Sequence, residues 1–91
     1  MENQHRKISG YRDLSEDEIA LMNEIKALGP QLDAVVEKVI GHLVKQKLAA
    51  TGDEANRFHL ACPERWVAIA RTDFQTGLMA LTRAVAQPTF F

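Results

Sequence analysis

Two groups of polar residues have the types and spacing to hold an anionic, base-bearing ligand. Tyr11 and Arg12 follow Gly10 just ahead of the first helix signal, and Lys26 lies three turns into that helix, away from its apolar seam. An aromatic plane can stack on a nucleobase, and a lysine brings a point charge to a phosphate. The competing reading is structural: Tyr11 packs its ring against the helix start and Lys26 is solvated. In the second group Arg71-Thr72 precedes Asp73, with Gln75 one turn after Arg71. The planar fork of arginine holds phosphate oxygens and a threonine hydroxyl donates to them, so copies converging on a symmetry axis would form an anion-binding ring. Here the competing reading is a local pair between Arg71 and Gln75 or Asp73.

Catalytic patterns are lacking. His5, His42 and His59 show no metal-ligand spacing, and the chain has no Gly-x-Ser-x-Gly, Gly-rich phosphate loop, Cys-x-x-Cys or His-Glu-x-x-His. No catalytic residue, cofactor or metal is therefore expected, and the chain reads as a binding module. His42 continues the register of an apolar seam and is expected to be hydrogen-bonded inside an interface. Cys62 is expected to be a buried or half-buried thiol just before a helix, where the helix amino terminus can raise its reactivity.

The elements that position these residues are all helical. Residues 1–14 carry Gly10 and no apolar period, and read as a short N-terminal arm to a single helical-hairpin domain. Ser15 with Glu18 three residues on is a capping box, and Leu14 and Ile19 fall at the positions of a hydrophobic staple. Leu21, Ile25, Leu28, Leu32, Val35 and Val39 then alternate at spacings of four and three, which puts them on one seam. Val36, Ile40, Leu43 and Val44 widen that stripe. Gly29-Pro30 interrupts the composition without shifting the apolar phase, which predicts one long kinked helix, or two nearly collinear ones, over about 15–50. Residues 51–62 contain Thr51-Gly52-Asp53 and little periodicity, so a turn is expected there. Pro63 suits the first position of a second helix, about 63–87. Its seam runs through Val67, Ala70, Phe74, Gly77, Leu81 and Ala84, and the small residues would let another helix come close. Gln87-Pro88 ends it, leaving Phe90-Phe91 as a frayed tail or an apolar plug on a neighbouring subunit.

Size and charge narrow the function further. A chain of 91 residues with Cys62 as its single cysteine cannot form an intrachain disulfide, so oligomerisation is the expected source of added stability. With a formal net charge of −1, general attraction to DNA, RNA polymer or anionic lipid is not expected, and any anion site must be local. No apolar run approaches the roughly 20 residues of a membrane span, and the opening residues lack the apolar core of a signal peptide. A cytoplasmic location is expected.

Three stretches resemble a known phage family: Ile8 to Ser15, Glu18 to Gly29, and Arg65 to Gly77 continuing through Leu78-Met79-Ala80-Leu81-Thr82-Arg83-Ala84-Val85-Ala86-Gln87-Pro88. They look like the helical-hairpin sponge proteins that counter the CBASS immune system, a family related to sponges that counter Thoeris defence. The likeness covers roughly half the chain, and residues 30–64 take no part in it. It implies a homohexamer of helical hairpins in the cytoplasm of the infected bacterial host, sequestering cyclic nucleotide second messengers without cleaving them. It further implies a cyclic-dinucleotide pocket between subunits, where Tyr11 and Lys26 match a tyrosine and a lysine that hold the ligand. Arg71 and Thr72 match residues contributing to a separate cyclic-trinucleotide site near the three-fold ends. Arg12 would add positive charge beside Tyr11.

Two other functions share these residues. An anti-Thoeris sponge would keep the hairpin and bind cyclic ADP-ribose isomers. A helical scaffold would bind only protein through its seams, and replacing Tyr11, Lys26 or Arg71 would then alter assembly or nothing.

Overall fold

A computed structural model describes residues 13–90, and within them the chain forms α1 (Glu16–Ala49), α2 (Gly52–Ala61) and α3 (Pro63–Ala86). The capping box is made: the Glu18 amide donates to Ser15 Oγ at 3.2 Å, and the Ser15 amide donates to Glu18 Oε1 at 2.8 Å. Glu16, Asp17 and Glu18 place carboxylates on the positive end of the helix dipole, and Lys47 stands at the negative end. α1 runs unbroken through Pro30 as one long bent helix. Pro30 has no amide proton for the carbonyl four residues back, so the Lys26 carbonyl loses its usual helical donor.

The expected turn at 51–62 is instead two short breaks enclosing a ten-residue helix. Thr51 is extended, Gly52 takes φ 57°, and Asp53 and Glu54 favour the new helix end. Glu54 accepts from Arg57 Nε one turn on at 3.0 Å. Phe58, 5% exposed, is the anchor that holds α2 down. Cys62 then adopts the left-handed conformation (φ 48°) and joins α2 to α3, with Pro63 at the first position of the next helix as expected. The Cys62 thiol is exposed, contrary to the buried or half-buried expectation, because the left-handed link stands outside both helices. α3 ends at a second left-handed residue, Gln87, just before Pro88.

α1 and α3 pack antiparallel. A Cβ on Gly29 would lie 3.9 Å from Leu78 Cδ1, Arg71 reaches Asp33 and Glu37, and Lys47 faces Glu64 at 3.8 Å. As numbers rise along one helix, those of its neighbour fall. The line of α1 that faces α3 runs through Met22, Ile25, Gly29, Leu32, Val36, Ile40 and Leu43, all buried or half-buried. Of the seam read from sequence, Ile25 and Leu32 lie on it, while Leu21, Leu28, Val35 and Val39 are exposed. On α3, Val67, Ala70, Leu78 and Val85 are half-buried, and Phe74, Gly77, Leu81 and Ala84 are exposed.

A single hairpin thus buries little. Among the described residues the core consists of Ile25, Val36 and Phe58. The molecule measures 63 × 23 × 17 Å, with a radius of gyration of 19.8 Å, whereas a compact domain of this length would have one of about 12 Å. Each long helix is left with a second, uncovered apolar line. His42 lies on the exposed side of α1 as well. No described helix is long and apolar enough to cross a membrane.

Candidate functional site

The antiparallel pairing creates two open grooves, one toward each end of the hairpin, and cations from both helices line them. The larger, about 600 Å³, is walled by Ile40, Leu43, Val44, Val67 and Ala68 and carries Arg71 and Thr72 together with Lys47, Glu64 and Gln75. The smaller, about 460 Å³, holds Lys26 among Met22, Ile25, Leu78 and Met79. Both volumes fall in the range of small-molecule sites, roughly 300–1,000 Å³.

Arg71 is half-buried, and neither local partner expected from the sequence receives its hydrogen bonds. Its Nη2 donates to Glu37 Oε1 at 2.8 Å and to Asp33 Oδ1 at 3.0 Å, both on α1. The hydrogen bond that Arg71 donates to Glu37 is the largest influence in raising the guanidinium pKa above its ordinary value, with the charges of Asp33 and Glu37 adding to it. Arg71 Nε is buried and has no hydrogen-bond partner among the described residues. The side chain is therefore aimed by two carboxylates that use a single nitrogen, and it keeps further donors on a guanidinium that lines the groove. Thr72, the next residue, is exposed at the same groove.

Lys26 is exposed on α1 and borders the smaller groove. The structure brings Arg71 and Thr72 together, and it keeps Lys26 apart from them. Asp33, which holds Arg71, is seven residues beyond Lys26, or roughly 10 Å along the helix axis. Tyr11 and Arg12 lie outside the described residues. Among the described residues no cluster of His, Cys, Asp and Glu is arranged to hold a metal.

Asp33 and Glu37 were not singled out by the sequence. The available signal was two carboxylates four residues apart on one helical face, an arrangement that is repulsive unless a cation sits between them. Arg83 is a third residue that the sequence does not single out; it lines the Lys26 groove, and its Nη2 donates to the Phe90 carbonyl at 3.1 Å.

An antiparallel helical hairpin with a short helix at its turn, and a cation-lined groove toward each end, defines the structural class. The chain belongs to the Acb2/Tad1 hairpin-domain family, whose model matches residues 6–86. That match includes residues 30–64, where the resemblance read from sequence was silent. A relative in Pseudomonas phage JBD67, described as Anti-CBASS protein 2, is 50% identical over 105 aligned positions covering 97% of each chain.

Proposed function

We propose that this protein is a phage immune-evasion factor that binds cyclic di- and trinucleotide second messengers in the cytoplasm of the infected bacterial host and sequesters them without cleavage. CBASS effectors would then stay unactivated. The observation that carries this reading is the likeness along nearly the whole chain to Anti-CBASS protein 2. The grooves supply a physical basis for it, since each offers apolar walls for base faces and a cation for a phosphate.

In this reading Lys26 holds the phosphate of a cyclic dinucleotide while Tyr11 stacks on a base and Arg12 adds charge. Arg71 and Thr72 bind a cyclic trinucleotide. Homo-oligomerisation, as a hexamer, completes both sites at subunit interfaces. It is supported by the uncovered apolar lines, Leu28, Val35 and Val39 on α1 and Phe74 and Leu81 on α3. A hairpin that buries so little of its apolar surface gains most by covering these lines with further copies. Retention without turnover is all a sponge requires, and no catalytic group is assigned.

The family description also names the Tad1 group, which favours one second reading: a sponge for cyclic ADP-ribose isomers that counters Thoeris defence. Titration of the purified protein with cyclic GMP–AMP, cyclic tri-AMP and a cyclic ADP-ribose isomer separates the two. Saturable binding of the first two supports the CBASS reading, and binding of the last alone would replace it.

A further inference from the structure

Lys26 is not the sole cation in its groove. Arg83 projects from the last turn of α3, and Met22, Met79, Thr82, Ala86 and Pro88 complete the lining with Ile25 and Leu78. We propose that Arg83 is a second ligand-binding residue of the cyclic-dinucleotide site, pairing with the phosphate that Lys26 does not reach. The inference rests on the functional reading above and goes beyond it by adding a residue and a second wall to the site.

Three observations carry it. A cyclic dinucleotide has two phosphates on opposite sides of its ring, so one lysine in the groove matches only one of the two charges there. The groove supplies a cation from each of its two walls, Lys26 from α1 and Arg83 from α3, with apolar side chains between them. Arg83 is also held in place before any ligand arrives. Gln87 turns the chain with φ 53°, and the segment after it comes back so that the Phe90 carbonyl accepts from Arg83 Nη2. A guanidinium carries five N–H donors, so one bond to a carbonyl orients the fork and leaves the others for a phosphate. Pro88 on the returning segment lines the same groove. The two methionines, polarizable and adaptable, suit a wall that must accept different base faces.

The test titrates the full chain with cyclic GMP–AMP, with cyclic tri-AMP as the comparator, and follows native mass and melting temperature. Arg83→Gln keeps a donor for the Phe90 carbonyl and removes the charge. It is expected to weaken cyclic GMP–AMP binding by about tenfold, the scale of one charge-assisted hydrogen bond, and to flatten the salt dependence of that binding. Arg83→Lys should recover part of the loss, while cyclic tri-AMP affinity and native mass stay as in the wild type. If Lys26→Ala abolishes binding but Arg83→Gln binds like the wild type with an unchanged salt dependence, Arg83 serves only to fix the C-terminal segment and the proposal is overturned. A wild-type protein that binds no cyclic dinucleotide would instead overturn the functional reading on which the proposal stands.

Discussion

Arg71 of α3 donates to Glu37 of α1 across the hairpin at 2.8 Å, and the same nitrogen reaches Asp33. A residue proposed to grip a phosphate is thus already gripping two carboxylates. They hold it in position, and they also compete with any anion for it.

That competition has a predicted sign. Asp33→Asn with Glu37→Gln removes two negative charges from beside the larger groove and keeps amide oxygens that accept from Arg71. Cyclic tri-AMP affinity should rise by about three- to tenfold, a change of roughly one charge-assisted contact, with cyclic GMP–AMP affinity unchanged. Calorimetric titration reads both. A fall in cyclic tri-AMP affinity would mean that the charged partners are needed to aim Arg71.

Pro30 predicts a trade between stability and binding. Pro30→Ala restores the helical bond to the Lys26 carbonyl and should stabilise α1 by up to about 3 kcal/mol, the propensity difference in a helix interior. Straightening the helix next to Lys26 should weaken cyclic-dinucleotide binding. Denaturant melts and titration of the same variant check the two halves, and a more stable protein with unaltered affinity would show that the bend does not shape the groove.

The sparse core should be sensitive, and its surroundings should not. Ile25→Ala is expected to cost about 2–3 kcal/mol, and Phe58→Ala, which removes the anchor of α2, about 3 kcal/mol or more. Leu48→Ser, at a site 82% exposed, should change stability by less than about 0.5 kcal/mol. Urea unfolding at one fixed protein concentration makes the comparison, because the stability of an oligomer depends on concentration.

The uncovered line of α3 distinguishes a lone hairpin from an assembly. Among the described residues nothing lies within 4 Å of a Cβ added at Gly77. In an isolated hairpin Gly77→Ala would stabilise the helix by about 0.5–1 kcal/mol. If the line is covered by another copy, Gly77→Leu should lower the native mass, and size-exclusion with light scattering reads the difference.

Much of this architecture was legible before the structure. Ser15 and Glu18 marked the start of α1, Pro63 that of α3 and Gln87-Pro88 its end, because caps and prolines act locally. The helix α2 was not legible, since ten residues with one apolar anchor, Phe58, give no periodicity to detect. The pattern Asp53-Glu54 with Arg57 was its faint trace. The line of α1 that faces α3 is not legible for a different reason. Two apolar lines run side by side on one helix, and nothing in their composition says which meets α3 and which stays open. Lys26, Arg71 and Thr72 were marked by their chemistry alone. From the sequence the structural alternative for Arg71 is a local pair with Gln75 or Asp73, whereas its contact across the hairpin with Asp33 and Glu37 exists only once the chain has folded.

The central claim is that the protein holds cyclic oligonucleotides and gives them back intact. Isothermal titration with cyclic GMP–AMP and, separately, cyclic tri-AMP, followed by heat denaturation and chromatography of the released ligand, tests it most directly. A sponge binds both saturably and releases unchanged ligand, with Lys26→Ala abolishing the first binding and Arg71→Ala the second. Absence of binding to either, or recovery of a linearised product, would contradict it.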